Sequence, residues 1–235
     1  MIRQIKMGFA RVCFPRTCIG CGVRLRPTLS KIVSVFCPCC QNAWENERIE
    51  ERGGEGQRIV GPISLVKYTS HHTTGVPEKS IYHIKHKNES RVFDFMAGQL
   101  SPMIVQALQT MAVLPEDVVV TYPPRRKISK RKDGFDQAQR LAYTVAEQMN
   151  AQAEDCFVHI GHGQVAQKEL NVQERAQNAK TSYEFRHDMQ ERVAGRVVVL
   201  ADDVYTTGAT LGACANLLLE AGAQKVMLVT VGKTV

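Results

Sequence analysis

The stretch Val197-Val198-Val199-Leu200-Ala201-Asp202-Asp203-Val204-Tyr205-Thr206-Thr207-Gly208-Ala209-Thr210 constrains this chain more than any other. Its β-branched apolar run, with Arg196 to Ala201 as the strand, is too short for a helix and is bounded by polar residues. A Thr/Gly turn follows, and Thr210 to Ala221 then has helical spacing, closed by Gly222. The rest of the C-terminal half repeats this alternation. Asp117 to Tyr122 forms a buried strand, and Asp136 to Asn150 a helix with Ala138, Leu141, Ala142, Val145 and Met149 turned inward. Cys156 to Ile160 and Lys225 to Val231 are further strands. This β-α-β order predicts an α/β fold, a parallel sheet flanked by helices whose ligand sits beyond the carboxyl ends of the strands. Upstream, Ile59 to Tyr68 is strand-like. Val92, Met96, Leu100, Met103, Ala107 and Met111 recur at helical spacing, interrupted by Ser101-Pro102, which fits one kinked helix or two abutting ones.

Free N–H groups at a helix start, the positive end of its dipole and the hydroxyls of Thr206, Thr207 and Thr210 make a cradle for a phosphate, and Gly208 lets the backbone approach closely. Asp202 and Asp203 would repel that phosphate, so they serve sugar hydroxyls or a divalent cation. A phosphorylated ribose satisfies both demands. The plain alternative is structural, because Asp is a favoured helix cap.

Asp202 to Thr210 resembles the signature of type I phosphoribosyltransferases that binds phosphoribosyl diphosphate (PRPP). The resemblance implies that Asp202 and Asp203, the catalytic positions, hold the ribose hydroxyls, while Thr206, Thr207, Gly208, Ala209 and Thr210 hold the 5′-phosphate, with Mg²⁺ accompanying the diphosphate. Tyr122, Pro123, Pro124, Arg125 and Arg126 stand where the family's pyrophosphate loop belongs, and arginine forks suit a diphosphate. Three more segments resemble the ComF family, which joins a cysteine module to such a domain and is associated with DNA uptake. These are Tyr82 to Lys87 with Lys85, Arg131-Lys132-Asp133-Gly134-Phe135-Asp136-Gln137-Ala138 with Gln137, and Gln167 to Asn178. In the last, Glu174, Arg175 and Asn178 match a hood loop that closes over PRPP; the plain alternative is a solvated helical loop with ordinary charge pairs. Asp136 stands where that family often has Asn, and Tyr122-Pro123-Pro124 replaces its more usual Val-Pro context. The implied partners are PRPP or a related ribose phosphate, single-stranded DNA and a DNA-uptake helicase.

Six of the eight cysteines fall in the first 40 residues. Cys18-x-x-Cys21 and Cys37-x-x-Cys40, fifteen residues apart, fit a four-thiolate structural Zn²⁺ ribbon. Cys39 could replace Cys40, and Cys13 is a spare thiol or alternative ligand. The charged, glycine-bearing stretch after Trp44 sets a boundary at 45–57, giving a zinc module over 1–50 and a phosphoribosyltransferase-like domain over 51–235. No apolar run reaches the roughly 18 residues of a membrane span, and Met1 to Lys6 lacks a signal peptide's apolar core, so a cytoplasmic protein is expected.

The net charge of +7 suits polyanions. Arg125 to Lys132 places six cations in eight residues, and Lys127, Lys130, Arg131 and Lys132 are candidates for contacts to a nucleic-acid backbone. PRPP capture alone is a second reading of the run, and a solvated charged surface, the commonest fate of such runs, a third. With only 6% aromatic residues, no base-stacking platform is evident. Two function classes follow: a transferase moving phosphoribose to a nitrogen acceptor, or a non-catalytic PRPP or nucleotide sensor that handles single-stranded DNA.

Overall fold

The computed structural model describes residues 16–26, 34–49, 57–69, 75–160 and 181–234. Within them runs α1 (Pro38–Asn46), β1 (Ile59–Tyr68), α2 (Val76–His86), α3 (Ser90–Thr110), β2 (Val119–Thr121), α4 (Lys127–Asp133) and α5 (Gln137–Met149). Then follow β3 (Gln152–Ala153), β4 (Phe157–His159), β5 (Tyr183–Phe185), α6 (Gln190–Val193), β6 (Val197–Tyr205), α7 (Ala209–Glu220) and β7 (Lys225–Thr234). Five strands form one sheet in the order β1-β7-β6-β2-β3, with every pairing parallel.

Strand alternation divides the core into two layers. On one face, Val197, Val199 and Ala201 of β6 and Met227, Val229 and Val231 of β7 pack with Ile81 and Ile84 of α2, Phe93 to Leu108 of α3 and Leu141 of α5. On the other, Val198, Leu200, Val226 and Leu228 pack against Leu211, Cys214, Ala215 and Leu218 of α7. Helices on both faces are what a buried parallel sheet requires.

The sequence patterns meet the structure with informative differences. The Pro102 interruption resolves as one continuous helix: Pro102 and Gly98, whose carbonyl loses its i+4 donor, are both solvent-exposed, so water can satisfy that carbonyl. The strand expected over Cys156 to Ile160 is short and does not join the parallel sheet. Instead β4 pairs antiparallel with β5, Phe157 opposite Phe185 and His159 opposite Tyr183. The parallel edge is β3. The strand expected to stop at Ala201 continues to Tyr205, because β7 pairs along it through Asp202↔Thr230, Val204↔Gly232 and Tyr205↔Lys233.

The cysteine segment shares the first core layer. Phe36 and Trp44, both almost fully buried, stack with Phe95 of α3, the Phe36–Phe95 rings meeting edge-on at 5.4 Å. Truncating Trp44 to alanine should cost about 3–5 kcal/mol of stability. Just after α1, the segment around Arg48 covers the outer edge of β1: Ile49 N–H donates to Leu65 O, and Arg48 bridges Val66 antiparallel. The open edge strand is thereby capped.

Candidate functional site

β6 carries the site because it lies between β7 and β2 and outruns β2 at its carboxyl end. Thr121, the last residue of β2, pairs with Leu200, so the loop 122–126 leaves the sheet just short of Asp202. The acidic pair and the predicted diphosphate loop are thus neighbours at one end of the sheet.

The two carboxylates face different surroundings. Asp203, 7% exposed, points to the α2/α5 side, where Gln137 Nε2 donates to its Oδ2 at 3.1 Å and Lys85 Nζ lies 3.9 Å away. Asp202, part-buried, accepts the Asp203 N–H at 2.8 Å and faces α7, near Cys214 and Tyr183. Burial first, then the Asp203 charge, pushes the Asp202 carboxyl well above the usual carboxylate range, with the Asp203 N–H and Lys85 pulling the other way. Beyond Asp203 the alternation slips: Val204 returns to the first core layer and Tyr205 packs on the second.

The turn that follows begins α7. Gly208 is its N-cap, with φ +73, and a Cβ there would run into the Tyr205 ring. Thr206 and Thr207 are exposed, and Ala209 N–H donates to Thr207 Oγ1 at 3.4 Å. Gly212 N–H bonds Gly208 O at 2.7 Å, the first turn of the helix. Thr210 lies beside the Tyr183 hydroxyl, and burial above all raises that phenol.

The loop 122–126 is tied down on both sides. Tyr122, 4% exposed, donates its hydroxyl to Asp155 Oδ1 at 2.8 Å, and Tyr143 reaches the same oxygen at 3.0 Å, so the Tyr122 side chain is committed to the fold. Arg125 N–H donates to Asp136 Oδ2 at 2.9 Å, while its guanidinium pairs with Asp133 at 2.8 Å. Asp136 also caps α5 through Gln139 N–H. The same carboxylate is met by Lys130 at 3.6 Å. Arg126 stands near His159, whose pKa is lowered by burial and then by that guanidinium.

The basic run forms α4, an exposed seven-residue helix in which Ile128 is 79% exposed. It is closed by Gly134 at φ +77. Lys127, Arg131 and Lys132 point to solvent, whereas Lys130 pairs with Asp136. His86 reaches Asp133 at 3.9 Å, joining the end of α2 to α4.

Glu174, Arg175 and Asn178 lie outside the described residues, as does Cys13. The span that holds the first three is flanked by β4 and β5, where His159 and Tyr183 face each other with ring centroids 5.1 Å apart. Tyr183 and Lys79, the latter joined to the cysteine segment, belong to no sequence motif. Only the topology brings them to these places.

The sulfurs of Cys18, Cys21, Cys37 and Cys40 lie within 4.8 Å of one another, a set that could hold a metal ion. Cys39 is exposed and outside the group. Burial works against ionising Cys18, but the N–H groups of Cys37, Cys21 and Gly20 bring its thiol down to about 7. Cys40 is pushed up, by burial and then by the neighbouring thiols. A cluster in which one thiol ionises readily and the others crowd it suits a soft divalent cation that neutralises them all. Among the described residues, no helix is long and apolar enough to cross a membrane.

Residues 135–233 match the family model described as "Phosphoribosyl transferase domain". The DNA utilization protein YhgH of Escherichia coli (strain K12) is 26% identical over 148 residues, 63% of this chain and 63% of that protein's own length. The protein of the same name from Salmonella typhimurium is 24% identical over 217 residues, 90% of this chain and 87% of that protein. Among solved structures, adenine phosphoribosyltransferase from Thermoanaerobacter pseudethanolicus superposes with a TM-score of 0.37 at 14% identity, covering 63% of this chain and 83% of that one. The parallel sheet flanked by helices, with the domain match spanning β6 and α7, is the phosphoribosyltransferase fold.

Proposed function

We propose that the chain binds PRPP with Mg²⁺ at the carboxyl end of β6 and transfers its phosphoribose to a nitrogen acceptor. The observation that carries this is the juxtaposition at one sheet end: a carboxylate pair, a glycine-capped helix start, and an arginine loop in register one strand away. The turn 206–210 supplies N–H and hydroxyl donors for the 5′-phosphate. Asp202 and Asp203 hold the ribose hydroxyls, and Arg125 and Arg126 with Mg²⁺ neutralise the departing diphosphate. Arg125 would exchange its bond to Asp133 for the ligand. The resemblance gives Glu174, Arg175 and Asn178 the role of a hood, which would exclude water from a glycosyl centre prone to hydrolysis.

The test is calorimetric titration with Mg-PRPP, followed by pyrophosphate release across a panel of nucleobases and amines. Release that depends on one acceptor supports the transferase. Tight binding without release supports a PRPP or nucleotide sensor, and no binding overturns both.

A second reading, participation in DNA handling, has its own support: the exposed basic helix α4 beside the loop, and the name borne by the YhgH relatives. Single-stranded DNA would run along Lys127, Lys130, Arg131 and Lys132, held by phosphate contacts without sequence readout. Neutralising these four should flatten the salt dependence of DNA affinity, and no affinity at low salt would remove DNA as a direct partner. A DNA-uptake helicase is the corresponding protein partner. The cysteine cluster holds Zn²⁺ through Cys18, Cys21, Cys37 and Cys40 in a module over 1–50, attached to the transferase-like unit over 51–235, and the chain works in the cytoplasm. Metal analysis of the purified protein, with Cys40→Ser and Cys39→Ser compared, tests that ligand set.

A further inference from the structure

One helix spans the distance between the cysteine cluster and the acidic pair. At its amino end α2 rests on the first knuckle: Lys79 Nζ donates to Gly20 O at 2.7 Å, and a Cβ built on Gly20 would come within 3.3 Å of a Val76 methyl. The same Cβ would meet Cys40 Sγ at 2.7 Å, so the space around Gly20 is set jointly by a cluster sulfur and by α2. At its carboxyl end the helix delivers Lys85 to Asp203 at 3.9 Å, with the ammonium also 5.7 Å from the centre of the Tyr68 ring. From Lys79 to Lys85 the helix rises about 9 Å. Its middle is seated by Ile81 and Ile84, both almost fully buried, and Thr69 donates to Glu78 at 2.9 Å. Pro77 in the first turn pre-sets the backbone at the knuckle end.

We infer that α2 is a strut through which metal occupancy of the cysteine cluster sets the position of Lys85 at Asp203. Lys79 is the positioning residue at the knuckle end. It holds the carbonyl of Gly20, which belongs to a loop whose shape four sulfurs and their metal fix. Lys85 is the positioning residue at the other end. With Gln137 it occupies Asp203 Oδ2, orienting that carboxylate toward the ligand. Removing the metal frees the knuckle, the Lys79 contact loosens, and the amino end of α2 loses one of its anchors while Ile81 and Ile84 keep the helix in place. The effect at Asp203 is therefore a loss of positioning without loss of fold. The inference rests on the metal and PRPP readings above.

The experiment uses the full chain in three forms: metal-loaded, treated with a chelator, and metal-loaded Lys79→Met, which keeps the aliphatic stem but cannot donate to Gly20 O. Amide hydrogen exchange over Ser80 to Lys87 is read without any ligand, and Mg-PRPP affinity is read alongside it. Exchange in α2 should rise several-fold on chelation and in metal-loaded Lys79→Met. PRPP affinity should fall roughly twofold to fivefold in both, the size expected for a part-exposed ion pair. Chelation of Lys79→Met should add nothing further, and Lys79→Arg should restore both signals. Unchanged α2 exchange in metal-loaded Lys79→Met overturns the strut. Where chelation unfolds the chain, as judged by far-UV circular dichroism, that variant decides alone. Absence of PRPP binding by the metal-loaded wild type sinks the ligand reading instead, and the exchange data still decide the coupling.

Discussion

Asp202 and Asp203 are adjacent in sequence, yet they belong to opposite faces of the sheet. On the α2/α5 face, Asp203 is held by an ammonium and an amide. On the α7 face, Asp202 looks toward the buried thiol of Cys214 and the buried phenol of Tyr183, and its charge is opposed by burial and by Asp203 itself. Two identical side chains thus acquire different surroundings from strand alternation alone: one carboxylate faces an ammonium and an amide, while burial and its neighbour's charge push the other toward its protonated form. A ligand with adjacent hydroxyls, or a bound cation, would engage both, and would add to the one backbone N–H that Asp202 already accepts.

The sharpest way to break this contrast is to remove each charge. Asp203→Asn and Asp202→Asn should each weaken Mg-PRPP binding by a hundredfold or more in calorimetry, since charge-assisted hydrogen bonds are lost in a partly buried site. Without ligand the two should part company. Asp203→Asn leaves Lys85 without its counter-charge and should lower the melting temperature, whereas Asp202→Asn relieves a disfavoured charge and should raise it. Equal shifts of the same sign would dissolve the distinction between the faces.

Next in size is the turn both faces share. Gly208→Ala forces a side chain into the left-handed region and against the Tyr205 ring, so it should cost about 1–2 kcal/mol of stability and about tenfold in PRPP affinity. Gly212→Ala, one turn later and with open space around it, should leave affinity unchanged.

How much of this could be read from the residues alone differs between the faces as well. The α7 side was legible because it is local: strand, acidic pair, Gly208 and helix lie within one short segment. On the opposite face α5 was legible too, Asp136 to Asn150 matching it to within its caps. The α2 side was not. Val76–His86 carries a start signal, Pro in its first turn with Glu78 beside it, but His83, Lys85, His86 and the exposed Tyr82 blur its apolar stripe. That Lys85 meets Asp203 depends on tertiary placement of elements 118 positions apart in the chain, from 85 to 203. The resemblance pointed to Lys85 and Gln137 without giving them a task, and the fold supplies one. For β4 the error was one of partner: a three-residue apolar strand says nothing about which sheet it joins, and its antiparallel mate Tyr183–Phe185 lies beyond a long intervening segment.

The pH dependence of stability sharpens the contrast further. A carboxyl whose folded pKa is raised binds its proton more tightly in the native state than in the unfolded chain. Between the ordinary Asp value of about 3.9 and the raised one, the native state therefore carries the extra proton, and this group's contribution to stability falls as pH rises. The melting-temperature gain of Asp202→Asn should accordingly be present at neutral pH and shrink as pH falls toward the ordinary carboxylate range. A gain that is constant with pH would show that Asp202 is not the group being strained.

The smallest expected effect tests the amide. Gln137→Met preserves length and burial at the start of α5 but removes the 3.1 Å donation to Asp203, leaving Lys85 as that oxygen's side-chain partner. A single hydrogen bond to a charged group that retains another partner should be worth a few-fold in PRPP affinity, well short of the loss from Asp203→Asn. Cys214→Ala, buried on the opposite face near Asp202, should change affinity less still, because the thiol packs in the α7 layer away from Asp203 and only its volume is lost. If Gln137→Met instead equals Asp203→Asn, the carboxylate is being held by the amide and the ammonium is a bystander, and the asymmetry between the faces would rest on a hydrogen bond rather than on charge.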